Sequence, residues 1–235
     1  MSAEPAVPAE PNEPAEPIES DEPTESDEPT ELTEPAEPGT VRPGGRTARV
    51  RAAVLRAAGD VLAEQGFAHL DLADVARRAE VGKTTVYRRW GSVTGLVADL
   101  LSDMAEQSLP RSETGSVLGD LRANAALVRR TLADPRQGAL FRAVIAAATG
   151  DGRTAEALRR FYDVRVSEWA PCVEQGVARG ELPPGTDSAL VVRAVSAPLY
   201  YTLLTTGIAP DPAAADRAAE AAVAAAVAGV YVTAE

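Results

Sequence analysis

Asp71-Leu72-Ala73-Asp74-Val75-Ala76-Arg77-Arg78-Ala79-Glu80-Val81-Gly82-Lys83-Thr84-Thr85-Val86-Tyr87-Arg88-Arg89-Trp90 is the stretch that decides the fold. Leu72, Val75, Ala76 and Ala79 recur at helical spacing and form one apolar stripe. Asp71 is a good N-cap for that helix, and Asp74 falls in its first turn, where the macrodipole favours a carboxylate. Glu80-Val81-Gly82 predicts a tight break. Lys83–Trp90 then predicts a second, short helix with Val86 and Trp90 facing inward. Two helices joined by a three-residue turn, the second rich in Lys, Thr, Tyr and Arg, form a helix-turn-helix pattern.

The residue types of the second helix fit contact with a nucleic-acid duplex. Lys83, Thr84 and Thr85 open it, where side chains of such a helix meet base edges. Tyr87 can donate its hydroxyl to a phosphate, and Arg88 and Arg89 can neutralise phosphates. Upstream, Val41–Arg49 reads as a flexible basic arm, in which Arg42, Arg46 and Arg49 are candidate phosphate contacts. The ordinary alternative for all of these is a solvated, solubilising face.

Working outward, Thr47 is placed to cap a first helix carried by Val50, Val54, Ala57, Ala58, Val61 and Leu62, and Gly66 to end it. Phe67 and Leu70 are expected beneath the turn. Ser92 caps a fourth helix through Leu96, Val97, Leu100, Leu101 and Met104. After a polar stretch at Leu109–Ser116, the pattern stays helical: about Val117 to Leu132, Pro135 to Ala148, Thr154 to Arg179, Ser188 to Thr206 and Pro212 to Val232. Asp134-Pro135 and Asp211-Pro212 share one start signature, an Asp cap followed by Pro in the first turn. Pro171 and Pro198 lie inside helical patterns and predict a kink or a split at each. No stretch has sustained strand alternation, so the fold class is all-α.

Charge is unevenly placed. The 235 residues carry a formal net charge of −12, with 23 basic and 35 acidic side chains. Residues 1–40 hold 13 Asp/Glu, no Lys or Arg, and 9 of the 18 prolines. The hexapeptide Glu19–Thr24 repeats at Glu25–Thr30. A segment with so few apolar anchors is expected to be a disordered, extended acidic tail. From Val41 to Trp90 there are 10 basic and 5 acidic residues, whereas from Gly91 onward there are 13 basic and 17 acidic. The expected division is a tail at 1–40, a basic arm and DNA-binding domain at 41–92, and a regulatory domain at 93–235.

Composition narrows the function classes. One cysteine, Cys172, excludes an intrachain disulfide framework and any multi-cysteine metal site. One histidine, His69, excludes His-based zinc catalysis and leaves little for a catalytic triad. No catalytic residue, metal or cofactor is expected, and the chain is not expected to be an enzyme. The acidic start is unlike a signal peptide. Ala221–Ala234 is shorter than the roughly 18 residues of a membrane span. The expectation is a soluble, cytoplasmic protein with no membrane partner.

The run Gly66–Trp90 resembles the DNA-binding signature of the TetR family of one-component bacterial transcription regulators. Gly180-Glu181-Leu182 and Ala197–Gly207 also resemble one regulatory-domain subgroup of that family. The resemblance implies a homodimer, a pseudo-palindromic double-stranded DNA operator, and a small-molecule inducer held in the regulatory domain. It further implies that the last two regulatory helices pair with their two-fold mates as a four-helix bundle. Here those are about Ser188–Thr206 and Pro212–Val232, the second of them Ala-rich. Some positions depart from the pattern. Asp71, which the resemblance places at the DNA interface, stands where Thr or Ser is common. Glu80 replaces a frequent Gly in the turn, and Gly91-Ser92-Val93 replaces a common Pro-Ser-Lys.

Aromatics are only 4% of the chain, so a ligand pocket should draw on several of them. The candidate ligand residues are Phe141, Tyr162, Trp169, Tyr200 and Tyr201, with Phe161 among the same set. Each alone also suits a core or interface role. Arg142, Arg165 and Arg193 could face an acidic ligand or simply solvent. The function read at this level is a repressor released from its operator by a ligand. The alternative is a helical ligand- or protein-binding dimer with weak, tail-inhibited DNA affinity.

Overall fold

The computed structural model describes residues 45–107, 111 and 113–233. The acidic repeats at 1–40 and the start of the basic arm at 41–44, Arg42 included, lie outside the described residues. Among the described residues the fold is all-α: nine α-helices, one 3₁₀ turn, and no strand beyond an isolated bridge between Thr186 and Val232.

The head comprises α1 (Gly45–Gln65), the 3₁₀ turn Phe67–His69, α2 (Leu72–Arg78) and α3 (Lys83–Trp90). The body comprises α4 (Val93–Glu106), α5 (Val117–Ala133), α6 (Pro135–Ala148), α7 (Gly152–Ala178), α8 (Ser188–Thr206) and α9 (Pro212–Val227). α1 packs on α2, α4 and α6, so it joins head to body. Its buried stripe is Val54, Leu55, Ala57, Ala58, Val61 and Leu62. Small side chains there let helices approach closely, and Ala/Val/Leu packing replaces the missing aromatics.

The body's helix starts follow from short oxygen-bearing side chains. The Ser92 hydroxyl accepts from the Gly95 amide at 3.0 Å, and Ser116 accepts from Gly119 at 3.1 Å. Asp134, Asp151, Asp187 and Asp211 accept from the amides three residues on, at 2.8, 2.6, 2.9 and 2.6 Å. Each bond satisfies a donor that the helix itself leaves open.

Four local expectations are corrected. α1 begins at Gly45, ahead of Thr47, so Arg46 and Arg49 sit on helix and not on a flexible arm. Of the kink or split expected at each internal proline, the split does not occur: α7 runs unbroken through Pro171, and α8 through Pro198. Trp169, Cys172 and Val173 are buried around the first proline, and Val195 and Leu199 around the second. That burial outweighs the one backbone bond each proline removes. α9 ends at Val227 and not near Val232. Gly229 turns the chain back at φ 79°. The following backbone then bonds to the α7–α8 loop, Asp187 N–H to Tyr231 O at 2.8 Å and Thr233 N–H to Gly185 O at 3.2 Å.

Candidate nucleic-acid interface and ligand cavity

α3 is pinned from below and open above. Val86 is fully buried and Trp90 nearly so, while Lys83, Thr84, Tyr87, Arg88 and Arg89 are exposed and Thr85 is half-buried. Gly91 ends the helix at φ 70°, its N–H bonding to Tyr87 O at 2.9 Å. Asp71 caps α2 as the pattern requires, its carboxylate accepting from the Ala73 and Asp74 amides at 2.8 and 3.0 Å. The same carboxylate is exposed beside the turn.

A groove beside α3 gathers several predicted residues from distant parts of the chain. Arg46 and Thr47 of α1 face Thr85, Arg88 and Arg89 of α3 across the turn residue Glu80. Arg49 is exposed on α1 outside that groove. Arg89 also lies over the Trp90 ring, 5.2 Å from its centroid, a cation–π contact. Glu80 is the non-glycine residue with positive φ among those described, at 55°. A Cβ is unfavourable in that left-handed conformation. The turn therefore carries both local strain and a negative charge in an otherwise basic face.

Behind α3, a charged network ties the head to α4. Trp90 Nε1 donates to Asp99 Oδ2 at 2.8 Å. Arg51 of α1 donates to Asp99 at 2.8 Å and to Asp103 at 2.5 Å. Burial pulls the Asp99 carboxyl pKa upward, but the bonds from Arg51 and Trp90 outweigh it and hold it below its ordinary 3.8. The Asp99 bond likewise raises the Arg51 guanidinium above its ordinary value. Sequence reading placed Trp90 in the core but missed Arg51, Asp99 and Asp103. Arg51 lies 48 and 52 positions from its partners, and no local pattern links them.

Asp103 leads to the body's interior. A cavity of about 470 Å³ lies between α1, α4, α5, α6 and α7, within the usual range for small-molecule sites. Arg56, Asp103 and Arg136 are among its polar lining residues. Arg136 also bridges to α1, donating to Asp60 at 2.5 Å and to Arg56 O at 3.1 Å. A smaller inner chamber of about 70 Å³ continues from it. The two share Leu127, Thr131, Phe141, Phe161 and Arg165 as walls.

Four of the five predicted ligand residues converge on the inner chamber: Phe141, Tyr162, Trp169 and Tyr200. Phe161 lies between two of them, tilted at 5.6 Å from Phe141 and edge-on at 5.3 Å from Tyr162, and Tyr200 closes the group edge-on at 5.4 Å from Tyr162. Burial raises the pKa of both phenols, so Tyr162 and Tyr200 are neutral. Tyr201 is the exception and is corrected: it is 69% exposed on the outer side of α8. Arg142 and Arg193 are exposed, while Arg165 is part-buried at the chamber wall and paired with Glu168 at 3.0 Å. Cys172 is buried, which pushes its thiol up to about 11 and makes it a packing residue and not a reactive one.

Asn124 was missed. It is 4% exposed on the inward stripe of α5, between Leu121 and Ala125, and it lines the inner chamber. Its Oδ1 has no hydrogen-bond partner among the described residues. Polar residues in phase with an apolar stripe were the signal available in the sequence: Asn124, and Asp120 one turn before it, which is bonded to Thr114.

Residues 54–100 match the family profile described as "Bacterial regulatory proteins, tetR family", and residues 111–222 match "Tetracyclin repressor-like, C-terminal domain". The chain belongs to the TetR family. The HTH-type transcriptional regulator AqdR of Rhodococcus erythropolis is 35% identical over 166 residues, 69% of this chain and 79% of its own. The DNA-binding transcriptional repressor TetR of Mycobacteroides abscessus is 30% identical over 163 residues, 68% of this chain and 85% of its own. Among solved structures, the TetR family transcription regulator SCO0332 is 29% identical with a TM-score of 0.61, over 75% of this chain and 97% of that one. As a TetR-family member, this protein is a DNA-binding transcriptional regulator. The helix-turn-helix profile covers α2 and α3, and the C-terminal profile covers the cavity-forming α5–α8.

Proposed function

We propose that the protein is a dimeric, cytoplasmic repressor that leaves a pseudo-palindromic operator when a small molecule enters the body cavity. The observation that carries this is α3: buried Val86 and Trp90 fix it, and Lys83, Thr84, Tyr87 and Arg88 project from it into solvent. Lys83 and Thr84 read base edges, with Thr85 at the groove; Tyr87, Arg88, Arg89, Arg46 and Arg49 hold phosphates. Asp71 and Glu80 weaken the contact by like charge. Arm and head over 41–92 act as the DNA-binding domain, and 93–235 as the regulatory domain.

An unpartnered apolar face supports dimer formation. α8 is apolar over its 19 residues, yet Val191, Val192, Val195, Leu199 and Leu203 are the ones it buries. Leu190, Tyr201, Leu204 and Ile208 stay 40–70% exposed, and Leu190, Tyr201 and Leu204 fall on one helical stripe. Ala213, Ala221 and Ala224 present small side chains on the exposed side of α9. Pairing α8 and α9 with a second copy buries both faces. Tyr201 therefore belongs to the subunit interface in this reading.

The ligand acts through α4. A molecule in the outer cavity meets Asp103, which Arg51 holds, and Arg51 shares Asp99 with Trp90 at the end of α3. Displacing Asp103 moves the support of the recognition helix.

The deciding experiment is footprinting and gel shift on the DNA upstream of the protein's own gene. Tyr87→Ala is expected to weaken operator binding about tenfold while leaving dimer and melting temperature unchanged. If Thr84→Ala and Tyr87→Ala both bind the operator like wild type, α3 is not the reading helix.

A further inference from the structure

The outer cavity carries an excess of positive charge. Its lining includes three guanidinium groups, Arg56, Arg136 and Arg165, against one carboxylate, Asp103. That carboxylate is engaged at both oxygens: Arg51 Nη1 donates to Oδ1 at 2.5 Å and Gln107 Nε2 to Oδ2 at 2.6 Å. A cationic ligand therefore finds no open partner. Arg165 is paired with Glu168, but the other two guanidiniums keep donors in reserve. Arg136 spends Nε on Asp60 and Nη2 on Arg56 O, which leaves its Nη1 without a partner among the described residues. Arg56 lies one turn before Asp60 on α1, and its guanidinium makes no ion pair among the described residues. Both arginines are exposed, so they are reached from solvent, and both line the cavity where α1 packs on α6. The walls beside them are apolar: Leu55, Leu100, Met104, Leu127 and Leu140.

We propose that the outer cavity selects an amphipathic monoanion, its apolar body lying among Leu55, Leu100, Met104, Leu127 and Leu140 and its carboxylate held by Arg56 and Arg136 at the α1–α6 edge. The volume of about 470 Å³ accommodates such a molecule without displacing the packed aromatics of the inner chamber. Burying a carboxylate costs more than burying a hydroxyl, so an apolar cavity without these cations would prefer the neutral molecule. Arg56 and Arg136 reverse that order, because a guanidinium matches a carboxylate in both charge and geometry. This rests on the reading of the cavity as the ligand site of a DNA-binding regulator and adds the class of ligand.

The test uses the full chain and three probes that share one alkyl chain, octanoate, 1-octanol and octylammonium, titrated calorimetrically near neutral pH. Wild type is expected to bind octanoate about fivefold more tightly than 1-octanol, and octylammonium least. Arg56→Gln combined with Arg136→Gln is expected to bring octanoate to the level of 1-octanol or below it, and to leave the alcohol's affinity unchanged. The comparison within wild type needs no variant, so it stands even if the double variant folds poorly. Equal binding of octanoate and 1-octanol by wild type overturns the proposal, as does tighter binding of 1-octanol or octylammonium, or binding of none of the three. A preference for octanoate that survives in the double variant overturns it too, since selection would then lie elsewhere. Operator binding measured on the same samples separates the two readings. Absence of a preference for octanoate with operator binding intact removes the ligand class only, and absence of operator binding removes the regulator reading.

Discussion

The head and the body solve opposite problems with the same Ala/Val/Leu vocabulary. The head closes its core around Val54, Val61, Val75, Val86 and Trp90 and turns Lys83, Thr84, Tyr87, Arg88 and Arg89 outward. The body leaves space inside and apolar surface outside: a cavity of about 470 Å³, an unpaired Asn124 oxygen, and an exposed stripe on α8. A reading helix works only if it is held rigidly at one angle. A sensing domain works only if its interior can accept something. If the body senses a ligand as proposed, its packing defects serve function, whereas the same defects in the head would be damage.

That contrast can be broken most forcefully at Trp90. Trp90→Ala removes a nearly buried indole and the donor to Asp99, and is expected to lower stability by about 3–5 kcal/mol in urea denaturation. A loss under 1 kcal/mol, on the order of a surface change, would mean that the head is not rigidly closed.

Arg51→Ala tests the joint between the two regions. It strands Asp99 and Asp103 on α4 and is expected to cost about 1–2 kcal/mol, allowing for their partial exposure. The pH dependence carries a sign. Asp99 titrates below its ordinary 3.8 in the folded protein. Its contribution is therefore complete above that value and disappears as pH falls through the lower folded value. Wild type and Arg51→Ala should differ most above the ordinary carboxylate range, and the gap should close as pH falls through the lowered folded-state value; a gap that does not narrow in acid would remove Asp99 from the network.

Two substitutions of about 1 kcal/mol sharpen the comparison in the favourable direction. Glu80→Gly releases the strained turn at φ 55° and is expected to raise stability by about that amount. It also removes a negative charge from the groove, so operator affinity should rise at low salt, which a gel shift at two salt concentrations measures. Asn124→Leu replaces an unsatisfied buried acceptor with a side chain of similar size. It should stabilise the unliganded body by about 1 kcal/mol, the reverse of a polar-to-apolar change made at a satisfied site. A lower melting temperature for that variant would show that the oxygen has a partner.

Legibility followed the range of the interactions. α6 and α8 begin and end where Asp134-Pro135 and the Ser188–Thr206 pattern predict, because caps and periodicity are local. α9 was expected five residues too long, since its end depends on backbone pairing with the loop at 185–187. The prolines in α7 and α8 were expected to kink or split their helices, and distant packing keeps both helices undivided. On α3 the inward Val86 and Trp90 were legible in the sequence, whereas Tyr201 was placed inside although it faces out. An aromatic residue next to Tyr200 carries the same composition signal, and only the helix's rotation against α7 and α9 separates the two.

The sequence by itself determined the all-α class, the helix-turn-helix, the outward face of α3 and the family, because each depends on residues within a few turns of one another. Tertiary structure alone decided the Arg51–Asp99–Trp90 network, the chamber around Asn124 and the exposed face of α8. Those arise where helices distant in sequence meet. A single strand of periodicity specifies which face of a helix turns inward, but not which other helix it finds there.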